Sequence, residues 1–182
     1  MLTKTLKLIS FDRFKDALQA KGSDAIVHPP LKKMLGMKCF SKIPYKLVEK
    51  EHPTGWSGKE GLLYVRHSDD SLDILHEFCH YLLCDDERLK CDEFGLGQGF
   101  RDNAIPAVRT ISCGLAQEEE EAVCILAYSF ICHMRLSILV LKEQIVNQNF
   151  DGYHEDGLKA DIEFIRKRKE RIDSRLAGMR LS

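Results

Sequence analysis

The sequence predicts one α+β domain, with a small antiparallel sheet packed on a short helix and on a long central helix. Two short apolar runs, Tyr45–Val48 and residues 61–65, flank a turn-rich stretch and predict paired strands. Helical periodicity starts at residue 71, and a longer apolar helix starts near residue 117. No change in composition marks a domain boundary, so we expect residues 1–182 to form a single domain.

Charge and cysteine content narrow the class of protein. Lys and Arg total 27 against 28 Asp and Glu, so no overall positive charge favours nucleic acid or a membrane surface. The seven cysteines are odd in number and none are spaced C-x-x-C, which predicts a reduced, cytoplasmic setting. Residues 122–141 are apolar for the length of a membrane span, but His133 and Arg135 near their middle favour a buried helix.

The first half of the chain predicts one helix and then the two strands. Ser10 can cap a helix over residues 11–21, which Gly22 would end. Turn residues at 52–58 separate the two strand-like runs, and we expect those runs to pair antiparallel.

The second half predicts three helices and one long irregular stretch. Asp70 or Ser71 can cap a helix that runs to about Leu83. Residues 87–114 are rich in glycine and are expected to be a mobile cover over a functional site, or else an ordinary surface loop. A long helix should cover residues 117–148, and a last helix about 157–176, whose basic run should be a solvated face.

The sequence His76-Glu77-Phe78-Cys79-His80 carries the chemistry. Two histidines four apart on a helix differ by about 40° in direction and about 6 Å along the axis, so both imidazoles can reach one metal ion. Glu77 lies about 100° round from His76, a position that suits the base for a metal-bound water better than a ligand. This pattern predicts a zinc site with an open position for water.

A third ligand should come from another helix, and a run of four glutamates at residues 118–121 opens the predicted long helix. The helix dipole stabilises acidic residues there, by about 0.3–1 kcal/mol each, which is the alternative explanation for the run. Four consecutive carboxylates repel one another, so we expect at least one of them to bind the zinc. Spacing alone leaves open which one.

Three segments, residues 61–65, 73–83 and 119–122, together resemble the ImmA/IrrE family of zinc metallopeptidases, which is gluzincin-like. The resemblance implies a zincin-like fold and, counting back three residues from Ala122, Glu119 as the third zinc ligand. Two positions depart from the family pattern: Cys79 stands where Gly is frequent, and Val123 where Asn or Asp is usual.

The predicted function is therefore a zinc-dependent endopeptidase acting on a protein or peptide, such as a regulatory protein. Zinc would be held by His76, His80 and Glu119, with Glu77 as the catalytic base. The strand at residues 62–65 is expected to bind an extended substrate along its edge. The alternative is an inactive zincin-like binding module in which the zinc is structural. Four side chains are candidate oxyanion donors, and the sequence does not choose among them: Tyr64, His67, Tyr153 and His154.

Overall fold

The computed structural model describes residues 44–98, 105–133 and 155–178. The helix predicted at residues 11–21 lies outside these ranges, as does the end of the predicted long helix. In the described ranges, three strands and four α-helices form an α+β arrangement, which confirms the predicted class at that level.

The three strands form one mixed sheet with the order β1-β3-β2. They are β1 (Tyr45–Val48), β2 (Gly55–Ser57) and β3 (Leu62–Arg66). β1 is parallel to β3, so the predicted antiparallel pairing of these two runs is wrong. The reason is that the supposed turn region contains β2, which pairs antiparallel with β3. The chain therefore reverses twice between β1 and β3.

The central position of β3 also overturns its predicted role as an edge strand. β3 has β1 on one side and β2 on the other, so both of its own edges are already paired and neither can take a substrate strand. The segment that follows the first helix covers β2: Trp56 Nε1 donates to the carbonyl of Leu89 at 2.9 Å, and the amide of Gly58 donates to Asp92 Oδ1 at 2.9 Å.

Helix α1 (Ser71–Leu83) begins and packs as its periodicity predicts. Of the two candidate caps, Asp70 serves, because its Oδ1 accepts a hydrogen bond from the amide of Leu72 at 2.9 Å. Its apolar face is buried against the sheet and the next helix, and Phe78 meets Phe130 with ring centroids 5.6 Å apart.

Helix α2 (Cys113–His133) begins four residues before the predicted start. Ser112 explains the earlier start: its Oγ accepts a hydrogen bond from the amide of Leu115 at 3.2 Å, despite the intervening Gly114. Residues 122–130 are all buried, which confirms a buried helix over that part of the apolar run. Because the glutamates at 118–121 lie beyond the first turn, the helix dipole explains little of their presence.

Two tight turns, Arg88–Lys90 and Asp92–Gly95, connect α1 to the following segment. Glu93 and Phe94 have φ of 48° and 51°, a left-handed conformation that costs non-glycine residues roughly 1–2 kcal/mol each. Phe94 is nevertheless 1% exposed, so its burial offsets this strain. At Phe94 the segment that was predicted to cover the functional site is therefore packed into the hydrophobic core.

The predicted last helix is two helices, α3 (Glu155–Lys167) and α4 (Lys169–Gly178). Arg168 separates them because its guanidinium donates to the carbonyl of Phe164 at 3.1 Å, while its own amide bonds to Ile165 at 3.0 Å. In a continuous α-helix the amide of Arg168 would donate to the carbonyl of Phe164, four residues back. Here it donates to Ile165, three residues back, as in a 3₁₀ turn.

Helix α4 is tied to the end of α1 by two arginines. Arg171 donates to the carbonyl of Leu83 at 2.8 Å, and Arg175 donates to the carbonyl of Tyr81 and to Asp86. Cationic donors suit the carbonyl end of a helix, because these carbonyls lack partners within the helix and carry partial negative charge. Among the described residues, no helix has the length and apolar character needed to cross a membrane.

Candidate metal centre

The two histidines of α1 face each other as the four-residue spacing predicts. His76 Nε2 and His80 Nε2 are 2.9 Å apart, and the rings meet edge to face with centroids 4.7 Å apart. His80 is 2% exposed, and the His76 side chain is 13% exposed. The helix therefore directs one nitrogen of each ring to the same point.

Helix α2 brings a carboxylate oxygen to that point. Glu120 Oε2 lies 3.1 Å from His76 Nε2 and 3.4 Å from His80 Nε2. In a tetrahedral zinc site with bonds of about 2.0–2.1 Å, ligand atoms are separated by about 3.3 Å. The three atoms are close to this spacing, and two imidazoles with one carboxylate form a donor set that zinc accepts. These residues could hold a metal ion.

Glu119, the residue chosen as third ligand, is placed elsewhere by the structure. Its carboxylate lies on the other nitrogen of His80, with Oε1 3.2 Å from Nδ1, and it forms an ion pair with Arg88. Successive helical residues differ by about 100° in direction, so Glu119 and Glu120 cannot point the same way. Among the described residues, the group that could hold a metal ion contains Glu120 and not Glu119, and the identity of the third ligand stays a prediction.

The residues of the candidate centre differ in their exposure to solvent. Glu119 is fully buried, whereas the Glu120 side chain is 42% exposed. Of the three residues that converge, Glu120 is thus the most exposed and His80 the least. Structural zinc sites are usually closed by four protein ligands, while catalytic sites retain a position for water.

The charges around the centre favour a bound cation. Burial alone lowers the pKa of His80, but Glu120 and Glu119 outweigh it and raise that pKa to about 10. Burial alone raises the pKa of Glu119, yet hydrogen bonds from His80 and Arg88 lower it to about 2. The pKa of Glu120 is likewise held well below its usual range by His80 and His76, although partial burial acts in the opposite direction. A proton or a metal ion can satisfy such a cluster, and the two compete.

Two residues that sequence reasoning missed support His80 from behind. Phe94 stacks on its ring with centroids 5.8 Å apart, and Arg88 Nε donates to the carbonyl of Phe94 at 2.8 Å. Both lie in the irregular segment after α1, where no periodicity or motif distinguishes them. A buried aromatic ring thus packs on the imidazole, and a buried guanidinium holds both that ring's backbone and Glu119.

The remaining predicted residues are Glu77 and the four candidate oxyanion donors. Glu77 is partly buried in α1 between the two histidines, and its role as base stays a prediction. Among the candidate oxyanion donors, Tyr64 is buried in β3 with its ring 4.6 Å from that of His52, while His67 is exposed. Tyr153 and His154 lie outside the described residues.

Comparison of the chain with protein-family models, with curated proteins and with solved structures gives no match in any of the three.

Proposed function

We propose that this chain is a zinc-dependent endopeptidase of the zincin-like type, related to the ImmA/IrrE family. The observation that carries the proposal is the meeting of His76 Nε2, His80 Nε2 and Glu120 Oε2 within 2.9–3.4 Å of one another. These three residues would hold the zinc. Glu120 replaces Glu119 in the ligand set given by the resemblance.

Bound zinc would supply a Lewis acid, which lowers the pKa of a coordinated water and polarises the scissile carbonyl. The protein groups do the rest. Glu77 follows the ligand His76 directly, and its carboxylate accepts the proton of the attacking water and then delivers it to the leaving nitrogen. A peptide would approach at Glu120, because Glu120 is the most exposed of the three candidate ligands, whereas Arg88 and Phe94 near His80 are buried.

The setting and the substrate are part of the same proposal. Cys84, Cys91 and Cys113 are free thiols. The odd number of cysteines and the lack of a C-x-x-C pair in the sequence support a reduced, cytoplasmic compartment. The near-neutral net charge gives no reason to expect nucleic acid as the substrate. The substrate class is a protein or peptide, such as a regulatory protein.

The second candidate function is a binding module in which zinc only joins α1 to α2. The three candidate ligands come from these two helices, and in that respect the site resembles a structural cross-link. The 42% exposure of the Glu120 side chain favours the enzyme, because water and substrate must reach a catalytic zinc ion, whereas structural zinc sites are usually closed.

The test begins with the metal and then separates the two candidates. Zinc-loaded protein and its Glu77→Gln variant are incubated with a complex peptide library, and products are identified by mass spectrometry. We expect both proteins to carry about one zinc, and only the wild type to release new peptide ends. Zinc-loaded wild type that cleaves no more than Glu77→Gln supports the structural alternative. Absence of stoichiometric zinc in the wild type contradicts both.

A further inference from the structure

A buried chain of three side chains runs from the irregular segment to the candidate metal centre. Arg88 Nη1 and Nη2 donate to Glu119 Oε2 and Oε1 at 2.5 and 2.9 Å, and Glu119 Oε1 lies 3.2 Å from His80 Nδ1. Glu119 is fully buried and the Arg88 side chain is 9% exposed. This chain of contacts is separate from the three atoms that face the metal position.

The contact between Glu119 and His80 determines which imidazole nitrogen is free to bind. An ionised carboxylate only accepts hydrogen bonds, so Nδ1 of His80 must carry the proton that lies between them. In the neutral ring, Nε2 then keeps its lone pair, and Nε2 is the atom that faces His76 and Glu120. A carboxylate behind a histidine ligand also fixes the direction of the ring and raises its basicity.

Arg88 determines where that carboxylate lies. The guanidinium is held at three points: two by the oxygens of Glu119, and the third by the carbonyl of Phe94 at 2.8 Å. Phe94 itself is fixed by burial and by stacking on Trp56 at 5.0 Å. A planar fork held in this way leaves Glu119 no freedom to rotate toward the metal position, where it would compete with Glu120.

We propose that Arg88 is a positioning residue for the metal centre: it fixes Glu119 against Nδ1 of His80 and so presents Nε2 to the ion. This inference rests on the zinc binding in the proposed function, and not on the peptidase activity. Loss of a partner behind a metal ligand typically lowers metal affinity by about 10- to 100-fold. We expect an effect of this size when the Arg88–Glu119 pair is removed.

The obstacle to a simple test is folding, because Arg88→Met alone leaves the buried Glu119 without its counter-charge. The informative protein is therefore the double variant Arg88→Met/Glu119→Gln, which removes both charges while nearly preserving side-chain volume. The matched control is Lys90→Met in the same turn, since Lys90 is 68% exposed and forms a surface ion pair with Glu87. Urea unfolding identifies which variants keep the wild-type fold.

Zinc affinity is measured by competition with a chromophoric chelator, and cobalt substitution reports the ligand geometry through its visible absorption. We expect the double variant to fold, to bind zinc about 10- to 100-fold more weakly than the wild type, and to give an altered cobalt spectrum. Lys90→Met should match the wild type in both. Arg88→Lys, which keeps the charge but loses the fork, should also bind zinc about 10-fold more weakly.

The outcomes separate this inference from the proposed function. If the wild type binds zinc and the folded double variant binds it equally tightly with an unchanged cobalt spectrum, Arg88 has no positioning role and the zinc site stands. If the wild type takes up neither zinc nor cobalt, the metal site and this inference are both wrong. If the double variant does not fold, folded Arg88→Lys with wild-type zinc affinity overturns the inference.

Discussion

Asp161 in α3 is a buried acid, and we predict that replacing it with the uncharged Asn stabilises the protein at the pH values where Asp161 would be ionised. It is 4% exposed, and its Oδ2 has no hydrogen-bond partner among the residues that the structure describes. Burial, together with the nearby carboxylates of Glu121 and Glu118 on α2, raises its pKa from 3.8 to about 7. The native state therefore holds this proton more tightly than the unfolded state, and stability falls as pH rises from about 4 to about 7.

The size of the effect follows from the pKa. One pKa unit is worth about 1.4 kcal/mol, so the wild type should lose up to about 3 kcal/mol between pH 5 and pH 8 from this group. Relaxation and water entry around the ionised carboxylate reduce that figure, and we expect about half of it. Asp161→Asn cannot ionise, so its free energy of unfolding relative to the wild type should improve by about 1–2 kcal/mol over the same pH range.

The assay is urea unfolding of both proteins at several pH values from 5 to 8. The contributions of all other titrating groups cancel in the difference between the two proteins. The control is Asp156→Asn, which lies in the same helix with its side chain 97% exposed. A difference between Asp161→Asn and wild type that stays constant across this pH range refutes the reasoning, as does an equal change in the control.

Three further predictions concern the metal centre and the segment behind it. Glu120→Ala should lower zinc affinity at least 10-fold in a chelator competition, whereas Glu118→Ala should leave it unchanged; the reverse result would remove Glu120 from the ligand set. A chelator should lower the melting temperature of the wild type but not that of His80→Ala, because removing metal destabilises only a protein that binds it. Equal shifts in melting temperature of the two proteins, measured by calorimetry, would argue against the site. Phe94→Ala should lower the free energy of unfolding by about 3 kcal/mol, measured with urea, because it removes a buried ring. A loss of less than about 1 kcal/mol would show that the left-handed turn does not depend on Phe94.

Local patterns in the sequence predicted the helix that carries the two histidines. The apolar period of α1, the cap at Asp70 and the four-residue spacing of His76 and His80 are all properties of one short segment. The structure agrees with each because local hydrogen bonding and burial of one face decide them. The burial of residues 122–130 was predictable for a similar reason, since no polar side chain between Ala122 and Tyr128 marks an exposed face.

Features that depend on pairing between distant segments were not predictable. Gly55-Trp56-Ser57 reads as turn sequence, and only its pairing with β3 makes it a strand and reverses the expected direction of β1. The choice between Glu119 and Glu120 depends on where Arg88 lies, more than 30 residues earlier in a segment without periodicity. A difference of one residue on a helix is a rotation of about 100°, which a run of identical residues cannot reveal.

The two arginines of α4 make the metal-binding helix dependent on the last part of the described chain. Arg171 and Arg175 reach Leu83 and Tyr81 across sequence separations of 88 and 94 residues. During synthesis, α1 leaves the ribosome long before these two arginines have been added. The carbonyls at its end therefore hydrogen-bond to water at first. The helix that carries both histidines obtains its final anchor only after α4 has been made and has docked. A chain cut short after α3 would retain every candidate zinc ligand and still lack this anchor.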